Sequence, residues 1–448
     1  ARKRSVTMAS TIPKKGSPSA WSKKISYIRN YTRGAQSPSL NVMKILLINH
    51  FPLAGSGSGT YTKNLAVSLA RLGIQVTVIL PENTEDFAPV PGIRLLPVYF
   101  TPEDGSEAPE GALPFNFPCF TTHPRSTKNF GEMSDQELEA YIGAFTAAIK
   151  KEVSENRPDV IHGQHIWILS SLAAGLGVPL VLTAHGTDLI GYERWPELRH
   201  FADRAIAASD RVIAISKDNL ALVKTTFPSQ TEKVSMMRNG YDTGVFHPLD
   251  LDRAEILAPF GIGEKELAGR KVIIFAGKLT HAKGVDVLLK AAKIYEHQRE
   301  DVITIIAGDG EEMANLRGLS EELGLERLRF LGNVDQDTLN RLYNISDLDL
   351  VPSRKEAFGL VAIEAMACGI PVIASDVGGL PDFVNSEVGT LVRPEDPEAL
   401  AEAILNMLTR LEEPGKAEWK DSISSYARDN YAQDTIIRDL EELYTSLI

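Results

Sequence analysis

"MKILLINHFPLAGSGSGTYTKNLAVSLARLGIQVTVIL", residues 43–80, changes its hydrophobic period twice. Met43–His50 is almost continuously apolar, as a strand covered on both faces of a parallel sheet requires. Glycines at 55, 57 and 59 break that run. Leu65, Leu69 and Leu72 then fall at i, i+4 and i+7, one apolar face of a helix. Gln75–Leu80 returns to strand character. Strand, glycine turn, helix and strand make a βαβ unit, because parallel neighbours need such a crossover.

The same alternation continues outward. "PDVIHGQ" (158–164), "PLVLTAHG" (179–186) and "RVIAIS" (211–216) read as further strands between helical stretches. One of those helices spans 134–156, with Ser134 as its N-cap. A second series follows: "KVIIFAGK" (271–278), "VITIIAGDG" (302–310), "LRFLGNV" (328–334), "LDLVPS" (348–353), "PVIAS" (371–375) and "GTLVRP" (389–394), again separated by helices. Strand alternating with helix means an open parallel sheet. The fold class is therefore α/β, with two Rossmann-like, doubly wound domains over 43–248 and 249–424. A C-terminal helix at about 425–448 is expected to return to the first domain. Ligands of such sheets sit beyond the carboxyl ends of the strands, so a cleft between the two is the natural site.

Two segments stand outside the alternation. Residues 1–42 carry nine Lys or Arg, no Asp or Glu, and many serines; they read as a poorly ordered extension. Residues 101–131 are too long for a plain connector. Phe115, Phe117 and Phe120 within them imply packing, while Arg125 and Lys128 are candidates to shape an acceptor pocket.

Composition narrows the class. A chain of 448 residues with 43% hydrophobic and 24% charged residues is an ordinary globular protein. Its net charge of −12 argues against general nucleic-acid or anionic-membrane binding. Two cysteines far apart make neither a disulfide framework nor a zinc site and suit a reducing cytoplasm. The uncharged run at 166–184 is broken by "GVP" and reads as a buried helix followed by a strand, not a membrane span.

Three places carry chemistry. The Gly55–Gly59 turn lets a ligand approach the backbone beside a helix N-terminus. It fails the G-x-G-x-x-G dinucleotide pattern, since Thr60 or Thr62 stands where the third glycine belongs. Lys278 and Lys283 follow a buried strand in "FAGKLTHAKG"; they are either two diphosphate-binding cations or two solvated lysines. "EAFGLVAIE" (356–364) places Glu356 before a helix that starts near Phe358–Gly359, with Glu364 about two turns further in. The backbone N–H groups of Phe358, Gly359 and Leu360 then face the cleft. Carboxylates accept well from paired hydroxyls of a sugar or ribose. Asp347-Leu348-Asp349 could hold a metal, but its place entering a buried strand reads as structural. His162, at the end of its strand, is either a cleft residue or a hydrogen-bonded core histidine.

"EAFGLVAIEAMACGIPVIASDVGGLPDFV" closely resembles the E-x7-E region of glycosyltransferase family 4, retaining enzymes of GT-B fold. "TAHGTD", "RNGYDTGVFHP", "GKLTHAKG" and "FLGNV" extend the likeness over nearly all of 43–448. Lys278, Tyr241 and Ile74 depart from the family's usual residues there. The resemblance implies that Lys278 and Lys283 hold a donor's diphosphate and that Glu364 binds the ribose. It gives the transferred sugar to Glu356 and the Phe358–Leu360 amides, and places Asn333 and Val334 near the base. It implies that Gly57 and Gly59 admit phosphate and acceptor, and that His185 lies near the reacting carbon. The implied reaction moves a sugar from a nucleotide-diphosphate sugar, UDP before GDP, to a soluble small-molecule or saccharide acceptor. No cofactor or metal is expected, and the front-face course needs no protein nucleophile. A phosphorylase, an epimerase or a two-lobed binding protein on the same architecture are the alternatives.

Overall fold

A computed structural model describes residues 42–121 and 123–448, so the basic extension lies outside it but for Val42. Residues 43–448 form one unit built on two sheets. The first has seven strands in the order β3-β2-β1-β4-β5-β6-β7. These are β1 (Lys44–Asn49), β2 (Gln75–Glu82), β3 (Ile93–Tyr99), β4 (Val160–Gln164), β5 (Leu180–Ala184), β6 (Arg211–Ala214) and β7 (Val234–Met236). The second has six, in the order β10-β9-β8-β11-β12-β13. They are β8 (Lys271–Ala276), β9 (Val302–Ala307), β10 (Leu328–Gly332), β11 (Leu348–Val351), β12 (Val372–Ser375) and β13 (Gly389–Val392). Every ladder is parallel. Both sheets therefore gather their connecting loops, and the site, at the carboxyl ends of their strands.

The central strands are buried apart from Lys44 and Lys271 at their starts, which is why they read as mainly aliphatic runs. The sequence reading overlooks β3 and β7. Both are edge strands; β3 is half-exposed and carries Pro97, which an edge tolerates, and β7 has three residues. The 166–184 run resolves into a short helix (Ile168–Leu172) and β5. No helix among the described residues is long and apolar enough to cross a membrane.

The 101–131 segment folds inward. Phe117, Phe120 and Phe130 are buried with Phe100 and Tyr141 in the core beneath the first sheet. Arg125 is bound to Glu82 at 2.7 Å, and Lys128 to Glu137 at 3.0 Å. The two cations considered for an acceptor pocket are thus engaged within the first domain.

At the other end of the chain, the Lys416–Tyr431 helix packs on the Leu360–Ala367 helix of the second domain. After Ala432 the Gln433–Thr445 helix lies on the Gly57–Arg71 helix and buries Ile437, Leu440 and Tyr444. The Tyr241 N–H donates to the Tyr431 carbonyl and the Gln433 N–H to the Tyr241 carbonyl, each at 3.0 Å, so the chain's two crossings between sheets are tied together. His162 belongs to this packing. It lies inside β4, fully buried, with Nδ1 2.6 Å from the Tyr444 hydroxyl and Nε2 2.7 Å from the Thr183 hydroxyl. It is a core histidine, held between sheet and terminal helix, and has no place in the cleft.

Candidate functional site

Four loops at the carboxyl edge of the second sheet converge. Lys278 lies two residues past β8, and Lys283 ends a single helical turn, His281–Lys283, just beyond it. The loop after β11 runs through Pro352 to Gly359, where the Leu360–Ala367 helix begins. Gly359 has φ +102°, which ends the helix there and leaves Glu356 on an irregular loop. Glu364 is consequently little more than one turn into the helix, closer to its N-terminus than continuous helix from Glu356 would place it.

These loops are locked together by main-chain contacts. The Arg354 N–H donates to the Ala282 carbonyl at 2.8 Å. A Cβ on Gly284 would sit 2.0 Å from the Pro352 carbonyl oxygen, and one on Gly378 1.7 Å from that of Glu356. The Gly379 N–H donates to the same Glu356 carbonyl at 3.1 Å. The Arg354 guanidinium grips Asp286 through two hydrogen bonds of 2.7 and 2.9 Å and reaches Glu395 and the His281 carbonyl. Burial opposes the Asp286 charge, but Arg354 and Lys290 hold its carboxyl down to about 2. Arg354, Gly284, Gly378 and Gly379 are positioning residues that the sequence reading does not single out. The "DVGG" pair directly after a strand was the available signal.

The result brings two of the candidate residues into contact. Lys283 Nζ lies 2.6 Å from Glu356 Oε2, and the Ser353 hydroxyl is 3.3 Å from the same oxygen. Beside this ion pair, the Gly359 N-cap has no side-chain hydrogen bond. The amides of Phe358, Gly359 and Leu360 donate to no acceptor among the described residues. A helix N-terminus with unfilled donors is an anion site. Glu364 is nearly buried, and burial alone pushes its carboxyl up to about 7. Asn333 is exposed and Val334 half-buried just past β10.

The first sheet supplies the facing wall. Gly57 opens the helix after β1; it is exposed, with open space where a Cβ would stand. Gly59 differs: it is buried, and a Cβ there would meet the Pro52 carbonyl oxygen at 2.1 Å. Its role is to seat the helix against the loop after β1, which corrects its reading as a ligand-facing glycine. His185 follows β5. Its Nε2 lies 3.0 Å from Gln164 Oε1, so the ring donates there and leaves Nδ1 as acceptor. Burial lowers it to about 3, keeping it neutral. The adjoining Gly186 packs on Ala357, next to Glu356, so the loop after β5 and the carboxylate loop meet across the cleft. His123 bonds the Ala54 carbonyl at 2.9 Å and lowers over Gly55. Burial holds His123 at about 4.

Asp347 and Asp349 lie elsewhere. Asp347 precedes β11, at its amino end, where it binds Arg253 and the Val272 N–H. Asp349 is buried within β11, and burial, reinforced by the Glu364 charge, holds its carboxyl well above the usual range. Neither is at the carboxyl edge where the lysines and the Gly359 turn meet.

Comparison with known proteins covers most of the described unit. A family described as Glycosyltransferase Family 4 matches residues 55–245, and one described as Glycosyl transferases group 1 matches 262–423. The chain is 30% identical over 399 residues to the D-inositol 3-phosphate glycosyltransferase of Mycobacterium sp. (strain KMS), covering 82% of each. It is 29% identical over 419 residues to the protein of that name from Segniliparus rotundus, covering 85% of each. Among solved structures it is similar to sucrose-phosphate synthase from Thermosynechococcus elongatus, with TM-score 0.70 and 23% identity over 90% of this chain and 99% of the other. It is also similar to Anabaena HepE in complex with UDP and glucose, with TM-score 0.67 and 22% identity over 90% and 100%. At these identities the structural likenesses establish the fold.

Proposed function

The chain belongs to glycosyltransferase family 4 and has the GT-B fold, and from that premise we propose that it moves a hexosyl group from a UDP-sugar to an acceptor hydroxyl, with retention and without a metal. The observation that carries this reading is the Lys283–Glu356 ion pair beside the unfilled amides of the Gly359 turn. Breaking the bond between the anomeric carbon and the donor's phosphate oxygen leaves negative charge on the diphosphate and positive charge on the sugar. Lys278, Lys283 and the Phe358–Leu360 amides stabilise the first, because fixed donors in a sheltered cleft need no reorganisation. Glu356 accepts from the sugar hydroxyls. His185, neutral with Nδ1 as acceptor, orients the sugar near the reacting carbon. The acceptor oxygen enters on the face the phosphate leaves, and its proton passes to the departing phosphate oxygen. Gly57 leaves room at that point, and Asn333 and Val334 border the base.

UDP is favoured because a structural neighbour was solved with UDP and glucose, with GDP the second choice. A soluble polyol or saccharide acceptor is favoured because the curated relatives are named for an inositol phosphate. Such substrates fit a cytoplasmic enzyme. The expected result with a radiolabelled UDP-hexose and a panel of polyols and saccharides is transfer of label, undiminished by a chelator. Retention of intact UDP-hexose without transfer would mark a binding protein. Activity lost to the chelator and restored by Mg²⁺ would contradict the metal-free course.

Glu364 gives the reading a pH signature. Its carboxyl, raised to about 7, is half protonated at neutral pH in the free protein. Ribose hydroxyls donate to the ionised form and so draw its pKa down. Nucleotide affinity therefore climbs as pH rises through 7, by about tenfold between pH 6 and 8 if binding restores an ordinary carboxylate. The ratio of wild-type to Glu364→Gln affinities, measured across that range by calorimetry, removes the nucleotide's own titration. A flat ratio would show that Glu364 does not meet the ribose.

A further inference from the structure

We propose that Glu356 competes with the nucleotide's diphosphate for Lys283, so that their ion pair opens on donor binding and re-forms after transfer to expel the nucleotide. The inference rests on the nucleotide-sugar reading and adds to it a role for Glu356 in product release.

The anchoring of the two side chains supports it. Their roots cannot separate: Ala282, beside Lys283, is bonded through its carbonyl to the Arg354 amide, and Gly284 packs against the Pro352 carbonyl. The Glu356 carbonyl is held by the Gly379 amide, and Gly378 closes on it without room for a Cβ. Exchange of partners is thus confined to rotation of the side chains. Lys283 is a flexible point charge suited to that exchange, unlike an arginine fork. Both members are sheltered, with the Glu356 side chain 11% exposed and that of Lys283 28%, so their attraction is less screened than that of a surface pair.

Three states follow, each with a different partner for the carboxylate. In the free protein, Glu356 is satisfied by Lys283 and the Ser353 hydroxyl. In the donor complex, Lys283 turns to the diphosphate and the sugar hydroxyls take its place on Glu356. After transfer the sugar has gone and the nucleoside diphosphate has gained a negative charge. Glu356 then has neither lysine nor sugar and stands beside an anion. A sheltered carboxylate left with the Ser353 hydroxyl but no cation is costly, so the product complex alone is penalised. Return of Lys283 to Glu356 relieves that cost and frees the nucleotide.

The test is a double-mutant cycle read by calorimetry, with UDP as the probe and GDP in parallel. Glu356→Gln keeps the shape of the side chain and removes its charge. It is expected to tighten UDP binding about tenfold in the wild-type background and hardly at all beside Lys283→Ala. An unchanged or weakened UDP affinity in the single variant would overturn the proposal. A gain that persists without Lys283 would also overturn it, because Glu356 would then repel the nucleotide directly. Failure of the underlying reading looks different: neither nucleotide would bind the wild type, or Lys283→Ala would leave binding unchanged.

Discussion

Lys283→Ala is expected to lower kcat/KM for the UDP-sugar by about a thousandfold, the size of effect seen when a donor to a developing oxyanion is removed from a sheltered site. The lysine is held in a half-buried turn at the carboxyl edge of β8, next to the unfilled amides of the Gly359 turn. Its loss removes a cation where charge develops and leaves the half-buried Glu356 carboxylate without its ion-pair partner. Both effects act on the diphosphate end of the donor. Uridine, which lacks phosphate, is expected to bind the variant and the wild type alike. Comparing UDP, UMP and uridine by calorimetry separates a diphosphate contact from general damage to the site. Equal loss for all three ligands would mean that Lys283 supports the fold of the cleft and does not grip the phosphates.

Gly378→Ala carries the second large effect, this time on structure. Gly378 has φ +56°, and a Cβ there would lie 1.7 Å from the Glu356 carbonyl oxygen. Left-handed strain and overpacking together put the cost at about 2–4 kcal/mol if the loop stays in place. The alternative is that the Glu356 loop moves, which breaks the Gly379 amide contact and separates Glu356 from Lys283. Either way activity falls. Urea unfolding with a parallel assay shows which route the molecule takes. Gly143→Ala is the control: it lies in the Asp135–Asn156 helix with no atom near its Cβ position and is expected to be neutral or slightly stabilising. Full activity and unchanged stability in Gly378→Ala would contradict the tight seating of the Glu356 loop.

The architecture was legible because the strands that matter most are central ones. β1, β4, β5, β8 and β9 are buried but for the lysines that open β1 and β8, so aliphatic residues dominate their sequences and polar ones are few. The edges were harder. β3 carries a proline and is only half-covered along its length, and nothing in its pattern separates it from the loop that follows. The elements of the site were legible for a chemical reason: two carboxylates around an apolar glycine turn make little sense as surface acids. What the sequence could not display was contact between segments far apart. Lys283 and Glu356 meet because Gly284, Gly378 and Arg354 fix two loops against each other, and no periodicity encodes that. Gly57 and Gly59 look equivalent in sequence, yet one faces open space and the other the Pro52 carbonyl. His162 and His185 both belong to strand ends by pattern, and only the Tyr444 hydroxyl, brought by the last helix, commits the former to the core.

A crystal structure of the protein with UDP tests the central claim most directly. The expected result places the β-phosphate within hydrogen-bonding distance of Lys283 Nζ and of the Gly359 or Leu360 amide, with Lys283 withdrawn from Glu356. A diphosphate bound away from the Gly359 turn, with the 2.6 Å ion pair intact, would contradict it.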